Sequence, residues 1–256
     1  MNYVYDVLGI GSGVVLLSVL ILLLRGSFRK FWVLLVYVAW ELFATATLTI
    51  YDLLYLAPSV GKVAQAEATK LYARLYWSND VIVDLLRFLL VIVLTYAATP
   101  EGAKRVSIGR ILGGIVAVVV VLPFLLFPLH FKPWPEASWF NSTSELLNFG
   151  AAIMNLGLWG ALLANRKRDP QFVAVSIGLG VVVTGAAVSY GLLHLLPTKA
   201  RVIPEIFLML TQLAGWSIWC RAFWPASKRS PAPDNPLPAP ATSTSTSAGP
   251  EPSPHS

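Results

Sequence analysis

The chain has 256 residues, of which 56% are hydrophobic and only 12% charged, with a formal net charge of +6. Soluble domains carry about 25% charged residues, so this chain lacks the side chains to coat a water-facing surface, and the composition excludes an ordinary soluble enzyme, a nucleic-acid-binding module and a disordered chain. A mean hydropathy of +0.66 points to the bilayer, and a single cysteine, Cys220, excludes an internal disulfide.

A helix needs about 20 mostly apolar residues to cross about 30 Å of hydrocarbon, and seven stretches meet that requirement. The first covers residues 7–24. A signal peptide carries its positive charge before the apolar run. Here Asp6 precedes the run, and Arg25, Arg29 and Lys30 follow it. That order describes a retained helix with its N-terminus outside. Gly9, Gly11 and Gly13 in this span are small residues of the kind that let helices approach closely.

The second span covers 31–55 and contains Glu41; the third covers 76–98 and contains Asp80, Asp84 and Arg87. Ionisable residues inside a span are expensive and face the bundle interior, so each is a functional candidate. Glu41 lies ten residues from one end of its span, and Arg87 lies ten residues from the corresponding end of the antiparallel next span. At 1.5 Å per residue both reach about 15 Å, the same depth, so the two are expected to face each other. Asp80, Asp84 and Arg87 follow the spacing i, i+4, i+7 and share one helical face. One arginine then meets two carboxylates, Glu41 and Asp84. A shared or transferable proton is one way to relieve the excess negative charge, and a purely structural ion pair is the other reading.

The fourth span covers 111–129, the fifth 144–164 with Asn155, the sixth 172–196 with Gly178, Gly180, Thr184 and Gly185, and the seventh 204–223 with Gln212. Asn155 and Gln212 fall at depths similar to Glu41 and join Asp80, Asp84 and Arg87 as candidate ligand- or proton-coupling residues. The seventh span holds no lysine, which excludes a retinal Schiff base there. Asp52, His130, Glu145, His194 and Glu205 lie near the outer span ends with no local metal-ligand spacing, so they read as interfacial polar residues. No catalytic set, metal site or cofactor motif is expected. Sliding the sequence by 139 residues pairs Arg29 with Arg168, Thr45 with Thr184 and Tyr51 with Tyr190, a faint internal repeat of the kind found in transporters.

Twelve of the nineteen Lys and Arg residues fall on the inner side, including Lys104, Arg105, Arg110, Arg166, Lys167, Arg168, Arg221, Lys228 and Arg229. Six fall on the outer side, and Arg87 lies within a span. By the positive-inside rule this sets the orientation. Beyond Arg229 the chain turns to Pro, Ser, Thr and Ala, a composition that cannot bury enough apolar surface to order itself.

The expected architecture is therefore an all-α membrane protein. Residues 1–226 form a seven-transmembrane-helix bundle with an outer N-terminus, and residues 227–256 form a disordered cytoplasmic tail. The expected location is the plasma membrane, or the cytoplasmic membrane of a bacterium. The layout favours a non-enzymatic receptor-like sensor or scaffold acting through a cytoplasmic protein partner or a homo-oligomer. The alternative is a small-molecule or proton-coupled transporter built on Glu41, Asp84 and Arg87. Apart from these partners only the lipid bilayer is expected as a contact, and no nucleic acid.

Overall fold

The computed structural model describes residues 2–55, 62–99, 103–126, 137–164, 169–197, 200 and 202–224. Among them there is no strand, and all regular structure is helical. Seven helices are long and apolar enough to cross a membrane, which marks a multi-pass membrane protein. They are α1 (Asn2–Leu22), α2 (Trp32–Tyr55), α3 (Lys62–Ala98), α4 (Ala103–Leu126), α5 (Ala137–Ala164), α6 (Pro170–Leu195) and α7 (Val202–Phe223). A π-helical turn, Leu23–Ser27, prolongs α1. Met1–Trp224 form one compact unit. The expected tail, the distal end of the fourth span and His130 lie outside the described residues.

Several helices begin earlier than expected. α3 starts at Lys62 rather than near Tyr76, α4 at Ala103 rather than Ile111, and α5 at Ala137 rather than Ser144. Apolarity marks only the part of a helix in hydrocarbon. The added turns are polar, as in Lys62–Leu75 with Gln65, Glu67, Lys70 and Arg74, and helical hydrogen bonding can continue past the hydrocarbon edge. The Asn141-Ser142-Thr143 segment likewise lies inside α5, with Thr143 buried.

Neighbour relations describe a closed ring. α1 packs on α2, α2 on α3, α3 on α5, α5 on α6, α6 on α7, and α7 returns to α1. α4 packs against α3 and α5 on the outside of this ring. α3 also reaches α6, so it is the most central helix, and its second half supplies Val83, Phe88, Leu90, Val91 and Leu94 to the buried core.

One end of the bundle is tied by charge and aromatic contact. Lys30, just before α2, pairs with Asp169, just before α6. These positions are 139 residues apart, which is the offset of the faint repeat. Beside them, the Phe31 ring meets Phe223 edge-on at 5.4 Å and Phe172 at 6.3 Å. Asp169 also accepts a 2.9 Å hydrogen bond from the backbone N–H of Gln171 and precedes Pro170 at the first helical turn. An acidic N-cap followed by proline is a strong helix start. Asp169→Ala is therefore expected to lower stability by about 1 kcal/mol through the lost cap. Lys30→Met removes only a half-exposed ion pair, with side chains 46% and 40% accessible, and is expected to have the smaller effect on the thermal midpoint in detergent.

Candidate functional site

The polar core of the bundle is centred on α3. Asp84 and Arg87 are 1% and 3% exposed. Their side chains meet at 2.9 Å, with Arg87 Nη1 donating to Asp84 Oδ1. Residues three apart share a helix face, so this contact is local. From α2, Glu41 Oε1 stands 4.0 Å from Arg87 Nη2. Tyr37, one turn away from Glu41, accepts a 3.3 Å hydrogen bond from Arg87 Nε at its hydroxyl. The planar guanidinium presents five N–H donors in a fixed fork, which lets one side chain serve partners on two helices.

Other helices close the wall around this group. On α5, Ser144 and Asn148 are buried and face the Asp84 carboxyl, and the Asn148 amide donates to the Ser144 carbonyl at 2.9 Å. On α7, Trp216 faces the Tyr37 hydroxyl without meeting hydrogen-bond geometry. Trp219 crosses the Tyr37 ring edge-on, with centroids 5.9 Å apart and planes at 89°. The Trp219 indole donates to the Val175 carbonyl of α6 at 2.9 Å. Glu41 Oε2 and Asp84 Oδ2 are buried oxygens with no hydrogen-bond partner among the described residues.

Asp80 sits one turn from Asp84 toward the other end of the bundle. It accepts a 2.6 Å hydrogen bond from the Tyr190 hydroxyl, which joins α3 to α6. Trp40 donates to Asn79 at 3.0 Å, a further polar tie between α2 and α3. The chain matches no family model, no curated protein and no solved structure. The chemistry of the site therefore follows from its own geometry.

The structure brings Glu41, Asp84 and Arg87 together and places Asp80 one turn beyond them. It separates the other two candidates. Asn155, 4% exposed on α5, lines a groove between α5, α6 and α7. Gln212 is half-buried on α7 and shares no hydrogen bond with the Arg87 group among the described residues. Sequence alone does not mark Tyr37, Ser144, Asn148 and Trp216 as site residues, and it marks Tyr190 only through the faint repeat. For α5 a signal existed: Ser144, Asn148 and Asn155 repeat at i, i+4 and i+11 within an apolar span, which puts them on one face.

Chemically, the cluster can do two things. It can fix the register of α2 against α3, because a buried charge tolerates only the arrangement that pairs it. It can also accept a proton: Glu41 and Asp84 each face the Arg87 guanidinium through one oxygen and keep a second, buried oxygen without a hydrogen-bond partner among the described residues.

Proposed function

We propose that the chain is a non-enzymatic seven-helix membrane protein that works as a sensor or scaffold through a partner. One observation carries this reading: the polar core at mid-span is a packed wall. The side chains of Arg87 and Asp84 are 4% and 0% accessible and that of Glu41 is 14% accessible. Tyr37 and Trp219 are fully buried beside them. A closed core of this kind suits a protein whose output is a change in helix packing, since two arrangements of a packed interior are distinct states.

In this reading the N-terminus is outside and the C-terminus cytoplasmic, supported by the excess of Lys and Arg on the inner loops. The protein belongs in the plasma membrane or its bacterial counterpart. The Pro/Ser/Thr-rich tail or a second copy of the chain is the route to output.

A second reading has its own support. The unpartnered Glu41 Oε2 and Asp84 Oδ2 suit a proton carrier in a coupled transporter. Proton flux separates the two. In proteoliposomes loaded with a pH-sensitive dye and given a pH gradient, the sensor reading expects wild-type leakage equal to protein-free vesicles, unchanged in Glu41→Gln. A gradient-dependent flux that disappears in Glu41→Gln overturns it in favour of transport.

A further inference from the structure

The groove that takes Asn155 away from the central cluster is itself a site of defined chemistry. It runs between α5, α6 and α7 with a volume of about 450 Å³, within the range of small-molecule sites. Its floor exists because of two glycines. A Cβ on Gly180 would stand 3.0 Å from Asn155 Nδ2, so the Asn155 amide lies directly on α6 there. A Cβ on Gly185 would collide with Thr211 of α7. The rim is apolar and opens away from the bundle: Leu156 is 72% exposed, Val188 43% and Phe207 38%. An entrant arrives from the lipid, not from water.

Within this groove Asn155 Oδ1 is buried and has no hydrogen-bond partner among the described residues. Asn155 lies eight residues from Leu163, the end of its apolar stretch, or about 12 Å into the hydrocarbon. Phospholipids keep their polar groups at the interface, and an acyl chain offers nothing to an amide at this depth. A hydroxyl can both donate and accept, so it pairs with the Asn155 amide in either orientation of that group. We infer that this groove binds a membrane-dissolved apolar alcohol, its hydroxyl on Asn155 and its hydrocarbon body along Gly180 and the apolar rim. The inference goes beyond the sensor reading and holds whichever output the protein has.

The test uses the full chain in nanodiscs of phosphatidylcholine and phosphatidylglycerol. The probes are a diazirine-bearing hexadecanol and its hydroxyl-free alkane twin, with labelled peptides mapped by mass spectrometry. The alcohol is expected to label α5–α7 groove peptides about three- to tenfold more than the alkane, the range that one hydrogen bond supplies. Asn155→Leu should bring the alcohol down to the alkane level. Val188→Trp, which fills the groove from its lipid side without touching the Arg87 group, should abolish groove labelling. If Asn155→Leu fails to fold, Val188→Trp with its helicity checked decides the matter. Equal labelling by alcohol and alkane overturns the inference, as does alcohol labelling that persists in Val188→Trp. A cross-linked dimer through Val188→Cys in a Cys220→Ser background, formed without probe, also overturns it by assigning the groove to a second copy.

Discussion

Arg87→Met should be the most damaging single substitution in the bundle, lowering stability by about 3–5 kcal/mol, the range for stripping one partner from a buried ion pair. The reason is the number of groups that depend on this one side chain. Asp84 loses its 2.9 Å partner, Glu41 loses the guanidinium 4.0 Å away, and Tyr37 loses a 3.3 Å donor. Asp84 Oδ2 and Glu41 Oε2 are already without partners among the described residues, so both carboxyls would then be buried with almost no compensation. Arg87→Lys keeps the charge but not the fork, and should fall between wild type and Arg87→Met. The triple variant Glu41→Gln, Asp84→Asn, Arg87→Met removes the charges together and should recover stability, since replacing a whole buried pair is often close to neutral. Denaturation midpoints in mixed micelles read all three. An Arg87→Met protein as stable as wild type would mean that the cluster is hydrated and open, contrary to the packed wall on which the sensor reading rests.

The facing of Glu41 and Arg87 was legible because depth along a helix is simple arithmetic. A rise of 1.5 Å per residue from a recognisable hydrocarbon edge places a side chain within about one turn. The same arithmetic brought Asp84 to Arg87 within their own helix. Rotation about the helix axis is less legible. A membrane helix can be apolar all round, so no amphipathic stripe tells which face meets protein and which meets lipid. Nor does a shared face tell which neighbour is met: Asn155 repeats on the face of Ser144 and Asn148, yet it stands against Gly180 of α6 in a separate groove. The glycines show it again. Gly9, Gly11 and Gly13 in α1 meet nothing within 4 Å, whereas Gly178, Gly180 and Gly185 in α6 are tightly covered. Both helices are apolar and carry closely spaced glycines, and the positions of neighbouring helices separate them. Helix starts such as Lys62 were hidden for a different reason, since the turns outside hydrocarbon need not be apolar.

Gly178→Ala and Gly215→Ala should each loosen the α6–α7 crossing. A Cβ on Gly178 would lie 2.8 Å from the Gly215 carbonyl oxygen, and a Cβ on Gly215 would lie 2.8 Å from the Gly178 carbonyl oxygen. The approach is reciprocal and the obstacle is backbone, which cannot swing aside as a side chain can. Gly178 is further covered by Trp219, whose Cδ1 would be 2.6 Å away. Accommodating one methyl group therefore requires the helices to separate, and this stretches the 2.9 Å Trp219–Val175 hydrogen bond that joins them. Overpacking of this kind costs about 1–3 kcal/mol. The double variant should cost less than the sum of the singles, because one separation relieves both clashes. Gly180→Ala should be milder, since its nearest neighbour at 3.0 Å is the end of the Asn155 side chain. Gly9→Ala and Gly157→Ala meet open space and should be neutral or slightly stabilising, because alanine is the better helix former by about 1 kcal/mol. Thermal midpoints in detergent, with the indole fluorescence of the α7 tryptophans as a second readout, order the six variants. If Gly178→Ala behaves like Gly157→Ala, the α6–α7 crossing is looser than a 2.8 Å approach allows, and the Gly185–Thr211 side of the Asn155 groove, built from the same two helices, would be equally loose.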